Sequence, residues 1–166
     1  MNGDKYIQDI ENRLEAYYDI KRPYTYQGVE FDLFAESFVR NEKFLASRKL
    51  TIYAFENNEH VFVKKYKNLN DIDLERFTGF LEKATEDYVN PGDEHMSTVI
   101  TGLIVVEEEI GRELVRDIKK YKYMKNFAFG FKGWTYIRLL VVDLNKGEVI
   151  CNKRGREARK FYRIIS

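Results

Sequence analysis

The chain of 166 residues is poor in the residues that carry redox, zinc or disulfide chemistry. Its single cysteine, Cys151, excludes an internal disulfide and fits a reducing cytoplasm. Two histidines beside that one cysteine are too few for a structural zinc site. No apolar run approaches the roughly 18 residues that a membrane span needs, so no membrane partner is expected. Met1 to Asp4 leads straight into a polar amphipathic segment, which argues against a secretory leader. Glycine-rich phosphate loops are missing too: Gly130-x-x-Gly133 lacks the strand-to-helix setting that would give it meaning. No catalytic signature occurs, and nothing implies a cofactor. Repeats, linkers and low-complexity tracts are absent, so residues 1–166 read as one domain.

What is present begins with the stretch 127–144, FAFGFKGWTYIRLLVVDL. Phe127, Phe129 and Phe131 recur every second residue and share one side of a strand. From Trp134 to Leu144 apolar residues occupy both faces, as in a strand covered on both sides. Residues 98–106, TVITGLIVV, form a second run of that kind. Asp4 is placed to cap a first helix carrying Ile7, Ile10, Leu14 and Tyr17 at helical spacing, closed ahead of Pro23. Residues 29–40, 44–55 and 60–67 read as a strand meander turning at Asn41-Glu42 and Asn57-Asn58. Asn70 caps a helix with Phe77, Phe80, Leu81, Ala84 and Tyr88 on its apolar stripe, ended by Asn90-Pro91-Gly92. Gly79 within it suggests a close packing contact. Glu107, Glu108 and Glu109 open the next helix and Lys119, Lys120 and Lys122 close it, complementing its dipole. Asn145-Lys146-Gly147 turns the chain into a short strand, 148–151, and 153–163 reads as a last helix with Ala158, Phe161 and Tyr162 inward. The expected fold is α/β (α+β) with a mixed sheet, order α-βββ-α-β-α-ββ-β-α. Helices cover both faces, with 99–106 beside 136–144 at the centre.

Charge is divided along the chain. Residues 1–110 hold 13 Lys and Arg against 22 Asp and Glu, and residues 111–166 hold 15 against 5. Lys153, Arg154, Arg156, Arg159, Lys160 and Arg163 crowd the end of the chain against the single Glu157. Lys119, Lys120, Lys122 and Lys125 extend that patch if the two helices are neighbours. A basic end of this kind suits an anionic partner, nucleic acid foremost. The same division allows a homodimer in which acidic and basic lobes meet.

The order helix, three-strand meander, helix, strand resembles the core of the restriction-endonuclease-like superfamily. That resemblance implies a Mg²⁺-dependent nuclease built on Asp32, Glu36 and Lys64 (or Lys65). The superfamily's acidic-x-lysine triplet is not there: Phe62 and Val63 stand where its carboxylate belongs. KNFAFGFK at 125–132 resembles the aromatic octamer of RNA-recognition motifs in Lys125, Phe127, Ala128 and Phe129, without the companion hexamer. Alternating phenylalanines otherwise pack a core. Asp93, Glu94 and His95 offer metal ligands from a loop, or form an ordinary polar one. His60 and Cys151 have no acid, base or nucleophile beside them in sequence. Across the whole chain, FDLFAESFVRNEKF, TIYAFENNEHVFVKKY, EHMSTVITGLIVV and FGFKGWTYIRLLVVDL resemble an uncharacterised family of conserved hypothetical proteins from anaerobic archaea and clostridia. That resemblance implies a cytoplasmic prokaryotic protein and supplies no activity.

Overall fold

The computed structural model describes residues 1–37, 57–88, 97–126 and 133–165. Helix α1 (Gly3–Leu14) opens on Asn2, not Asp4: the Asn2 side chain accepts from the Lys5 N–H, while Asp4 complements the dipole in the first turn. Four short strands follow, β1 (Tyr18–Lys21), β2 (Tyr24–Tyr26), β3 (Val29–Phe31) and β4 (Leu33–Ser37). Then come β5 (Asn57–Tyr66), α2 (Asp71–Asp87), β6 (Ser97–Val106) and α3 (Arg112–Lys120). The chain closes with β7 (Met124–Asn126), β8 (Trp134–Asp143), β9 (Glu148–Cys151) and a 3₁₀ turn at Arg154–Glu157.

The mixed sheet runs β1-β4-β5-β6-β8-β7, with β9 also on β8, and β2 pairs β3 in a separate ribbon. Strands β5, β6 and β8 are parallel and central; β1, β4, β7 and β9 are antiparallel to their neighbours. Side chains alternate between faces along each strand. One face carries Phe62, Ile100, Ile104, Ile137 and Val141 beneath α2 and α3. The other carries Val61, Val63, Leu103, Val105, Leu140 and Val142 beneath α1 and the C-terminal Tyr162. Helices therefore cover both faces, as the uninterrupted apolar runs require. Among the described residues no helix is long and apolar enough to cross a membrane.

Several expected boundaries move, each for a local reason. The first helix ends at Leu14, and Tyr18 to Lys21 form a strand whose Tyr18 and Ile20 pack into the α1 face. The expected strand 29–40 breaks at Asp32, whose carboxylate accepts from the Lys65 N–H. Asn57-Asn58 is no turn; it is the start of β5, paired with Ser97 and Thr98. Gly79 faces open space, so it marks no packing contact. The close approach is at Gly102 instead, where an added methyl would lie 2.3 Å from Leu81 Cδ1 and 2.7 Å from Phe77 Cε1. Glu107, Glu108 and Glu109 precede α3 rather than open it. Glu107 is occupied there, accepting from the Gly3 N–H at 2.9 Å. Strand 44–55, turns 41–42 and 90–92, Asp93 to His95 and Phe127 to Phe131 lie outside the described residues.

Candidate anion-binding groove

The basic end of the chain is not the helix its composition suggests. Asn152 ends β9 and turns the chain. Its Oδ1 accepts from the N–H of Leu139 (3.1 Å) and Gly155 (2.8 Å), and its Nδ2 donates to the Ile137 carbonyl (3.0 Å). A Cβ on Gly155 would stand 2.9 Å from the Leu139 carbonyl oxygen, so only glycine lets the turn sit this close to β8. Beyond it, bonds to the third residue back hold 154–161: Ala158 N–H to the Gly155 carbonyl, Arg159 to Arg156, Phe161 to Ala158. Tyr162 is then buried in the α1 core while Phe161 is 38% exposed, against the expectation that both turn inward. The Tyr6 hydroxyl donates to the Tyr162 carbonyl at 2.5 Å, and Arg13 donates to the carbonyls of Phe161 and Arg163. The tail is thereby fixed to α1 through its backbone, leaving its cationic side chains exposed.

Those cations divide into two groups. Arg156, Arg159, Lys160 and Arg163 join Lys119 of α3 around a groove of ≈ 860 Å³ that follows β9. Among the described residues, none of these five makes an ion pair. Lys153 and Arg154 instead line a separate hollow of ≈ 460 Å³ with Lys122, and the Arg154 guanidinium lies 4.5 Å from the centre of the Tyr136 ring. Of the other expected extensions, Lys120 lines neither space and Lys125 stands 3.7 Å from Glu86.

The tail's one acid is turned away from the groove cations. Glu157 accepts from Arg138 at 2.9 Å, and Arg138, only 1% exposed, also donates to Glu59 at 2.7 Å. Glu59 further accepts from Thr101 (2.8 Å) and from the Tyr18 hydroxyl. Burial pushes the Glu59 carboxyl above its ordinary range, against the hydrogen bonds from Tyr18 and Thr101, and holds the Tyr18 phenol well up. Neither Glu59 nor Arg138 was singled out from the sequence. The available signal is a lone arginine inside the apolar run of β8, which demands a buried acid. Cys151, half-buried in the groove floor, has its thiol pushed up by burial. Arg159, Arg156 and Lys119 pull the other way.

The residues considered for metal-dependent cleavage are each engaged by other groups. Asp32 is bonded to the Lys65 N–H, Lys64 Nζ donates to the Glu30 carbonyl at 2.7 Å, and Glu36 lies 3.8 Å from His60 Nδ1. Among the described residues, no three His, Cys, Asp or Glu side chains are grouped to hold a metal ion. His60 is buried between Phe34 and Tyr88, and burial lowers its imidazole to about 4.

No curated protein and no solved structure matches the chain. Residues 2–164 match the model of a family described as a domain of unknown function, DUF8052, and the chain belongs to that family.

Proposed function

We propose that this protein is a binding module whose groove along β9 holds a polyanionic partner. The observation that carries the reading is the convergence of Lys119, Arg156, Arg159, Lys160 and Arg163 from two elements on one groove, where Glu148 is the one acid of the lining and none of the five is ion-paired to a described residue. Cations held on a fixed backbone without partners keep a strong local potential, and a polyanion entering the groove replaces screening ions with direct contacts. Retraction of Glu157 onto Arg138 supports the same reading, because it removes the tail's one acid from competition. The phosphates of nucleic acid and the carboxylates of an acidic chain both satisfy this requirement of charge. Fluorescence anisotropy with labelled single-stranded DNA, RNA and oligoglutamate at low salt tests it. The Arg156→Glu, Lys160→Glu, Arg163→Glu variant serves as comparison. Binding of at least one probe by the wild type, abolished in the variant, is expected. If no probe binds, or the variant binds as tightly, the groove is not an anion site.

A further inference from the structure

Among the described residues the groove floor is an open sheet edge, because β9 pairs only with β8, and its chemistry goes beyond charge. Asn152 donates its N–H to the Leu139 carbonyl, which sets the phase of the antiparallel β8–β9 ladder. Ile150 therefore faces β8 through its backbone, and Val149 and Cys151 turn their N–H and C=O groups outward. No hydrogen bond to a described residue takes up these outward groups. Val149 is nevertheless buried, with α3 walling one side of the strand and the tail walling the other.

We propose that the occupant is an extended acidic peptide segment of another protein, added to β9 as a further strand. The inference rests on the anion-binding reading and names the partner at that site. Phosphate groups only accept hydrogen bonds, so a phosphodiester backbone can answer the two N–H groups but not the two carbonyls that alternate with them, and only the 2′-hydroxyls of RNA supply donors. A peptide backbone offers donors and acceptors in the alternation that the edge presents. Side chains of an added strand point alternately to the two walls. The tail wall carries Arg156, Arg159, Lys160 and Arg163, whereas the α3 wall offers Val115 and Lys119. The preferred segment thus has Asp or Glu at every second position and small apolar residues between. Unguarded edges are commonly protected by cations on the edge strand itself. The one charged residue of β9 is Glu148 at its start, so the edge from Val149 to Cys151 is left receptive and an acidic segment places its acids beyond Glu148.

The test uses the full chain and a labelled Gly-Glu-Val-Glu-Val-Glu-Gly peptide in anisotropy. A second peptide of the same sequence carries N-methyl groups on the residues facing β9, which removes donors and leaves the charge alone. The unmodified peptide is expected to bind at least about tenfold tighter, the worth of one hydrogen bond or two. Val149→Pro, which deletes an outward N–H that the β8 ladder does not use, should weaken it comparably. Should that variant fail to fold, the methylated peptide still decides. Equal binding of both peptides overturns strand addition but leaves a groove that binds anions. Binding of labelled single-stranded DNA without the peptide overturns the peptide partner in favour of nucleic acid. If neither binds, both readings fall.

Discussion

Lowering the pH should destabilise this protein through His60. The side chain is 7% exposed and sits between Phe34 and Tyr88, with ring centroids at 6.1 and 5.1 Å. Burial disfavours the imidazolium, so the folded-state value is about 4 while the unfolded chain titrates near 6.5. Between those values the unfolded chain binds the proton and the folded chain does not. The contribution is present in full above pH 6.5 and is lost as pH falls towards 4. The full gap corresponds to about 3 kcal/mol at about 1.36 kcal/mol per pH unit, of which about 2 kcal/mol disappears between pH 7 and pH 5. The Glu36 carboxylate, 3.8 Å away but 41% exposed, offers the imidazolium only a screened attraction and trims that figure. Urea melts at pH 7, 6 and 5 should be compared between wild type and His60→Phe, which keeps the aromatic stack. The other acids titrate alike in both proteins, so the difference isolates His60. A variant as acid-sensitive as the wild type would refute the reasoning.

Gly79→Ala should stabilise the protein by about 1 kcal/mol, read as a higher urea midpoint, because the added methyl meets open space on an exposed helical position. Asn152→Ala should cost about 3 kcal/mol or more in the same measurement. It strands two buried N–H groups and one carbonyl at about 1 kcal/mol or more each. Arg138→Met alone should cost about 3–5 kcal/mol by leaving Glu59 buried without its cation, whereas Arg138→Met with Glu59→Leu should recover most of that loss. A double variant as unstable as the sum of the singles would contradict the buried-pair account.

The parts of the fold legible in the sequence are those set by near-neighbour chemistry. The apolar runs of β6 and β8 declare central strands, the Asn70 cap and its stripe declare α2, and Asn145-Lys146-Gly147 declares the turn into β9, with Gly147 at φ +70°. What escapes is set by residues far apart in the chain. Glu59 and Arg138 are 79 positions apart, so no spacing rule brings them together. Strand β1 exists because β4 offers it an edge, which overrides the helical spacing of Tyr17. At the basic end, composition identifies the cations but not their arrangement. Asn152 and Gly155 replace the helix by a tight turn, and this divides six expected site residues between the β9 groove and the Lys153–Arg154 hollow. By its place in the sequence Lys119 only extends a helical patch; in the structure it stands on the opposite wall of the groove.

The most direct test of the anion-binding claim is the salt dependence of polyanion affinity, measured by anisotropy with labelled single-stranded DNA and oligoglutamate. If the groove cations make the contacts, log affinity for the DNA falls linearly with log salt, at about −0.7 per phosphate engaged. The Arg156→Glu, Lys160→Glu, Arg163→Glu variant should lose binding to both probes, and Lys153→Glu, outside the groove, should keep most of it. No binding of either probe at low salt, or equal loss in Lys153→Glu and the triple variant, would contradict the account.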